Sequence, residues 1–506
     1  MATRPIRFFH RGQVHEVADL PTTTTVLQWL REQAHEIGCK EGCAEGDCGA
    51  CTVLVGELKS DDALALKPVN ACIQFLPTLD GRALLTVEDL GPGDRLNPVQ
   101  QAMVDCHGSQ CGFCTPGFTM TLQGVYERHQ ACKTRPSRQE LADELAGNLC
   151  RCTGYRPILD AGERMFDAPA RPIDRAPIVE ALQQLQSDAP LDFSAPSLID
   201  AKVESFHVPR TVEALAALRQ QKPDARMVAG ATDVGLWVNK QMRRLGDVIY
   251  LGQVRELQFI EERGSELWIG AGVTLEDAWA AMCQSFPALR QLWLRFASPP
   301  VRNAGTLGGN IANGSPIGDG PPALMALDAS IHLRQGQRQR RMPLRDFYLD
   351  YMKNAMEAGE FVEGLSIPLS QVQAGTTEHL RAYKISKRYD SDISAVCAVF
   401  SMSVKDGRVA GVRLAFGGMA ATVKRAAVTE ATLHGQVWDE ATLAQAIASL
   451  PQDFKPLSDL RASAAYRMQV AQNLLRRFWM ETRSDAPLLE HQVNVWLAAD
   501  FNRSLA

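Results

Sequence analysis

The sequence predicts a multidomain α+β protein, and three observations carry that prediction. At 506 residues the chain is too long for one hydrophobic core, since domains run to about 100–200 residues. Eleven of its 13 cysteines fall between Cys39 and Cys152, so the N-terminal third is chemically unlike the rest. Beyond residue 198 strand and helix patterns alternate, and from about Thr377 they give way to long strands followed by helices.

Composition narrows the classes further. With 45% hydrophobic residues, 22% charged residues and a net charge of −5, nothing points to nucleic acid. The densest basic stretch, Arg334 to Arg341, reads as a solvated turn. No window approaches the roughly 18–20 apolar residues of a membrane span. Met1 to Leu20 lacks the apolar centre of an export signal, so the chain is expected to stay in the cytoplasm. Reduced thiols are the rule there, and clustered cysteines then read as metal or redox ligands rather than a disulfide framework.

The first domain is expected over residues 1–85. Ile6–Phe9 and Gln13–Val17 flank a turn, Thr25 to Ala34 has a helical stripe in Val26, Leu27 and Leu30, and Thr52–Val55 resumes a strand. Between helix and strand, Cys43, Cys48 and Cys51 stand in a C-x4-C-x2-C spacing, with Cys72 as a distant fourth. This is the plant-type [2Fe–2S] spacing. Three thiolates can meet one small cluster from a single loop only where it curls tightly, which Gly42, Gly46 and Gly49 permit. Zinc remains an alternative, although it usually takes paired knuckles. Cys39 fits no ferredoxin spacing and reads as a spectator.

Residues 86–167 read as all-helical. Thr115 is expected as an N-cap with Pro116 next, opening a helix to about His129 with Phe118, Leu122 and Val125 on its apolar face. Ser137 and Glu140 form a capping box for a second helix, which Gly147 should end. Cys111 and Cys114 precede the first helix, and Cys150 and Cys152 follow the second. Four thiolates from two loops suit another [2Fe–2S] cluster, while C-x2-C plus C-x-C would also suit zinc on spacing alone. Cys106 and Cys132 fall outside both pairs.

The three segments CAEGDCGACTV, QCGFCTPG and GNLCRCTGYRPI together resemble the iron–sulfur region of the molybdenum hydroxylases, a family that includes xanthine dehydrogenases, aldehyde oxidases and carbon monoxide dehydrogenases. The likeness extends over nearly the whole chain and, in its order of domains, is most like the small subunits of bacterial xanthine dehydrogenases. It implies a β-grasp ferredoxin-like domain, a helical cluster domain, a linker over 168–197, a two-subdomain α/β FAD-binding domain over 198–375 and a small α+β C-terminal domain over 376–506.

Two glycine-rich stretches bear on the flavin. Arg226 to Gly235 reads as a strand, a tight turn and a helix start, where backbone N–H groups can receive a pyrophosphate. It is neither a Walker loop nor a G-x-G-x-x-G fingerprint. Ala304 to Ala312 reads as a loop open to a ligand. The resemblance implies FAD contacts at Met227, Val228, Ala229, Gly230, Ala231, Thr232, Asp233 and Val234, and at Thr306, Leu307, Gly308, Gly309 and Asn310. It adds Phe296, Asp319, Val362 and Lys384. On pattern alone Phe296 and Val362 are core residues and Lys384 is a surface lysine on a strand. Tyr351 matches a loop over the flavin where NAD+ would dock, although the sequence departs from the family pattern around Met352 and Lys353.

No catalytic constellation stands out, so the chain reads as a relay. The resemblance implies that a molybdenum–pterin centre on a partner large subunit hydroxylates xanthine or hypoxanthine. Electrons would then pass through the helical-domain cluster, the ferredoxin-like cluster and FAD to NAD+, in a two-plus-two heterotetramer. Three alternatives remain at this stage: a subunit of another hydroxylase acting on an aldehyde or N-heterocycle, a self-contained NADH:acceptor reductase, and a non-catalytic cluster-binding scaffold.

Overall fold

The computed structural model describes residues 3–59, 62–91, 95–197, 199–369 and 375–494. Strands β1 (Ile6–His10) and β2 (Gln13–Val17) form the expected hairpin. It turns through Arg11 and Gly12, both with positive φ, as a tight two-residue hairpin requires. With β3 (Thr52–Leu58), β4 (Leu64–Asn70) and β5 (Ala83–Leu85) they make a five-stranded sheet in the order β2-β1-β5-β3-β4. Thr25 caps the crossing helix through a capping box with Gln28, but only Val26–Gln28 is α-helical; Trp29–Gln33 widens into a π turn. Phe8, Leu30, Leu54 and Phe75 are fully buried in this domain.

The helical domain has four helices: Pro98–Asp105, Thr115–Cys132, Arg138–Glu144 and Arg156–Arg164. Its core is Val99, Phe118, Leu122, Tyr126, Leu141 and Ile158. Cys114, not Thr115, occupies the cap position of the long helix, which therefore begins one residue early. The Ser137–Glu140 box forms as expected, while the helix it opens is closed by Leu145, ahead of Gly147.

The segment expected as a linker is ordered. The N–H groups of Arg171 and Ile173 donate to the Tyr126 hydroxyl and to the buried Glu127 carboxylate. Ala176–Gln186 is a helix whose Ile178, Ala181, Leu182 and Leu185 bury at helical spacing.

β6 (Asp192–Pro196) and β7 (Val203–His207) pair antiparallel, and β8 (Arg226–Val228) and β9 (Val248–Tyr250) join them in the order β6-β7-β9-β8. A second sheet holds β10 (Ile260–Arg263), β11 (Glu266–Gly270), β12 (Ser330–Gln335) and β13 (Arg338–Pro343). The short hairpin of β14 (Tyr348–Asp350) and β15 (Lys353–Asn354) follows. β16 (Phe361–Pro368) then returns to the centre of the second sheet, giving β10-β11-β16-β12-β13. The basic stretch is not a solvated turn but the β12–β13 hairpin: Arg334, Arg338, Arg340 and Arg341 pair with Glu363, Glu357, Glu360 and Glu266 at 2.5–2.9 Å.

In the last domain β17 (Thr376–Ile385), β18 (Val396–Lys405), β19 (Arg408–Gly417) and β20 (Lys424–Arg425) form a meander. β18 and β19 turn at Asp406 and Gly407, as the Asp-Gly signal requires. Helices Glu440–Asp453 and Ala464–Thr482 cover it, capped by Asp439 and Ser463. Among the described residues, no helix is long and apolar enough to cross a membrane.

Candidate cluster and flavin sites

The fold brings the eight predicted cysteines together in two groups of four. In the first, Cys43, Cys48 and Cys51 lie on the loop between the π turn and β3, and Cys72 follows β4; Cys51 and Cys72 are buried. Hydrogen bonds with Cys48 and Cys72 pull the Cys43 thiol far below its ordinary range. Those same bonds, with burial, push Cys48 and Cys72 well up, and Cys72 also bonds Cys51. Backbone N–H groups of Glu45 and Cys48 point at the Cys43 sulfur, and that of Ala50 at the Cys48 sulfur. N–H donors to sulfur tune a cluster's potential.

In the second group the thiols pair as Cys111 with Cys152 and Cys114 with Cys150. Burial, then the Cys150 contact, pushes Cys114 up to about 12. The Thr153 hydroxyl and N–H both approach the Cys150 sulfur, at 3.2 and 3.5 Å. Cys111 and Cys152 are exposed, with Phe113, Leu149 and Tyr155 partly exposed beside them.

The donor sets fit [2Fe–2S] clusters. Among the described residues no three His, Cys, Asp or Glu side chains close on a single-ion site. The thiols of the first group contact in a run, Cys48–Cys43–Cys72–Cys51, and those of the second in two pairs, so each group offers four thiolates to one compact centre. Cys39 is buried, and its thiol donates to the Cys51 carbonyl at 3.4 Å rather than joining the four. Cys106 is half-buried and Cys132 exposed, both away from the pairs.

The two groups touch through their loops. The Leu149 N–H donates to the Cys48 carbonyl at 3.0 Å, so a single hydrogen bond joins a ligand of one group to the residue before a ligand of the other. Gly49 (φ +68°) makes this possible, because a Cβ there would stand 2.3 Å from the Gly147 carbonyl oxygen. On its other side the first group meets the flavin domain. Asn239 Nδ2 donates to the carbonyls of Cys72 and Ala44 at 2.7 and 3.1 Å, and Gln74 Nε2 donates to the Gly230 carbonyl at 2.9 Å. Sequence reading missed Asn148, Gln74 and Asn239. Their only signal was an amide side chain close to a ligand cysteine or to the glycine turn.

A cleft of about 400 Å3 opens between the two sheets of the flavin domain, within the range of cofactor pockets. Of the predicted residues, Met227, the run Ala229–Val234, Thr306, Gly308–Asn310 and Val362 line it. Val228 is buried in β8 and Leu307 in the core. The second glycine stretch is not an open loop: Thr306 caps a helix over Leu307–Asn313 by accepting from the Gly309 N–H. The donor set fits a flavin nucleotide. Asn310 lines the cleft, and its Oδ1 is buried without a hydrogen-bond partner. Replacing Gly230 by alanine would bring a Cβ within 2.0 Å of the Ala304 carbonyl oxygen. Such overpacking costs about 1–3 kcal/mol. We expect FAD affinity, measured by flavin titration of the apoprotein, to fall about tenfold to a hundredfold.

The remaining flavin candidates lie outside this cleft. Lys384, read as a surface lysine, is buried in an ion pair with Asp319 at 2.6 Å, and Ser394 bonds both. Phe296 packs against Trp279. Tyr351 is exposed on the β14–β15 turn, while its neighbour Met352 lines the cleft. A larger cavity of about 640 Å3 separates the first domain from the flavin domain. Four of its charged groups pair with one another, as in Lys67–Asp277 at 3.2 Å and Arg82–Glu57 at 3.3 Å, and only Ala229, Gly230 and Thr306 of the predicted flavin residues line it, so the smaller cleft is the better candidate site.

Comparison with known proteins agrees with this layout. Residues 8–76 match the 2Fe-2S iron–sulfur cluster binding domain and 86–163 the [2Fe-2S] binding domain. Residues 201–370 match the FAD binding domain in molybdopterin dehydrogenase, and 381–482 the CO dehydrogenase flavoprotein C-terminal domain. The xanthine dehydrogenase of Emericella nidulans is 30% identical over 99% of this chain and 40% of its own length. The nicotinate hydroxylase hnxS of the same organism is 28% identical over 94% of this chain and 40% of its own. The chain thus spans about 40% of the length of these relatives. A structure of carbon monoxide dehydrogenase from Hydrogenophaga pseudoflava superposes with a TM-score of 0.50 at 28% identity, covering 54% of this chain and 94% of that one. With two cluster domains, a flavin domain and its C-terminal companion in this order, the chain belongs to the molybdenum hydroxylase family, as its iron–sulfur and FAD module.

Proposed function

We propose that this chain is the electron-transfer subunit of an NAD-dependent xanthine dehydrogenase. Cys43, Cys48, Cys51 and Cys72 hold one [2Fe–2S] cluster, Cys111, Cys114, Cys150 and Cys152 the other, and the cleft between the flavin-domain sheets holds FAD. The clusters supply one-electron steps and the flavin the two-electron step that NAD+ needs. A cytoplasmic two-plus-two assembly completes the reading, with a large subunit whose molybdenum–pterin centre oxidises hypoxanthine and xanthine to urate.

One observation carries it: the three sites stand in series. The exposed thiol group meets the buried one through Leu149 and Cys48, and the buried one meets the flavin domain through Asn239 and its cleft through Gln74, which bonds the cleft residue Gly230. The exposed end, rimmed by Phe113, Leu149 and Tyr155, is where a partner would shield the thiolates. Backbone N–H groups facing the sulfurs would hold the thiolate charge, and Tyr351, exposed beside the cleft residue Met352, would meet the nicotinamide.

The chain co-purified with its large subunit should contain molybdenum and reduce NAD+ when given xanthine. Activity on nicotinate or an aldehyde but not on xanthine would favour the second reading, a subunit of another hydroxylase, for which the nicotinate hydroxylase relative is the specific support. A cluster-loaded chain that NADH cannot reduce would overturn the flavin assignment.

A further inference from the structure

The side chain of Asn148 is 2% exposed, yet it is neither a thiol ligand nor part of an apolar core. A buried amide persists only where its hydrogen bonds are made. Its Nδ2 donates to the Gly49 carbonyl at 3.1 Å and to Thr52 Oγ1 at 3.3 Å. Its Oδ1 accepts from Thr121 Oγ1 at 2.7 Å. The Gly49 carbonyl can only accept, so the atom facing it is the amide nitrogen, which fixes the side chain's orientation.

These partners span both thiol groups. Gly49 lies between Cys48 and Cys51, and Thr52 directly follows Cys51. Thr121 sits on the helix that Cys114 begins. Asn148 itself is two residues before Cys150, and the next residue, Leu149, makes the bond to the Cys48 carbonyl. The long helix packs closely against this loop, since a Cβ on Gly117 would lie 2.1 Å from the Gly49 oxygen.

We propose that Asn148 is a positioning residue that fixes the register of the two cluster loops and so sets how fast the clusters exchange electrons. The inference rests on reading both thiol groups as [2Fe–2S] sites. The step is a one-electron exchange in which one cluster is oxidised as the other is reduced, with no bond made or broken. Loss of the amide leaves the Gly49 carbonyl without its cross-domain donor and leaves the Thr121 hydroxyl only the Gly117 carbonyl of its own helix, at 3.1 Å, to donate to. The Leu149–Cys48 link is then free to lengthen.

The test uses the cluster-loaded full chain with Asn148→Ala, Thr121→Val and Thr121→Ser. Two quantities are read: the spin–spin splitting between the reduced clusters by electron paramagnetic resonance, and intercluster electron exchange by freeze-quench. Asn148→Ala and Thr121→Val should keep both cluster signals and wild-type iron, lose most of the splitting, and slow exchange about tenfold, the usual scale for losing a ligand's supporting hydrogen bond. Thr121→Ser, which restores the hydroxyl, should recover both. If Asn148→Ala does not fold, the two Thr121 variants decide. Wild-type splitting and rate in Thr121→Val, or a Thr121→Ser variant no better than Thr121→Val, overturns the proposal. A wild-type chain with no cluster signal would instead overturn the underlying reading.

Discussion

Replacing Cys72 by alanine is expected to remove the first cluster and leave the second in place. Cys72 enters the group from the end of β4, far in sequence from the other three, and it bonds both Cys43 and Cys51. Cys39, the nearest spare thiol in sequence, is occupied by its hydrogen bond to the Cys51 carbonyl and is not expected to take its place. The purified variant should hold one cluster's iron and sulfide instead of two, with the helical-domain signal intact. On the proposed reading, reduction of that remaining cluster by NADH should slow by about a hundredfold, the upper end of what losing a metal site's support costs, because Gln74, two residues after Cys72, bonds the cleft residue Gly230 and puts the first group next to the flavin. Cys39→Ala is the control. It forfeits one hydrogen bond, worth about 1 kcal/mol, and should keep both clusters. Wild-type iron in Cys72→Ala, or loss of a cluster in Cys39→Ala, would show that the ligand set is wrong.

The cysteine spacings, the β1–β2 hairpin and the capping box at Ser137 were legible because each depends on residues within a few positions. What failed to show depends on distant contacts. Ala304 to Ala312 reads as a loop because glycine is a poor helix former. The helix forms nonetheless because Gly308 lies so close to Ala271 that a Cβ would meet it at 2.4 Å, and close packing outweighs propensity there. The segment 168–197 reads as a linker because Pro172, Pro177 and Pro190 interrupt it, yet Pro177 sits in the first turn of its helix, where it is tolerated. Lys384 reads as a surface residue because lysine rarely buries; its counter-charge, Asp319, lies 65 residues away in the sequence. The bonds of Asn148, Asn239 and Gln74 likewise join positions 96–195 apart, along with one of 27. The ligands could be read locally, but the contacts that put the sites in series could not.

That buried pair leads to the second large effect. Lys384 on β17 belongs to the C-terminal domain, whereas Asp319 immediately precedes the helix Gly320–Ala326 of the flavin domain, whose seven residues are all buried. The ammonium and carboxylate are 2.6 Å apart and nearly without solvent, and the Ser394 hydroxyl bonds both. A pair so buried gains little over two apolar residues, but removing one partner strands the other charge. Lys384→Met should therefore destabilise the protein by about 3–5 kcal/mol. Lys384→Met with Asp319→Leu should recover much of that loss, because no charge is then left behind. Arg338→Ala gives the scale for an exposed pair: Arg338 and Glu357 are both about half exposed, and the change should cost under about 1 kcal/mol. Urea unfolding of the flavin-loaded chain, followed by flavin fluorescence and circular dichroism together, measures all three. Both signals are needed because a multidomain chain need not unfold in one step. A Lys384→Met variant within about 1 kcal/mol of wild type would mean that solvent reaches the pair. The two domains would then be held together by their apolar contact and by other polar links such as Arg413 to the Ala326 carbonyl at 2.7 Å.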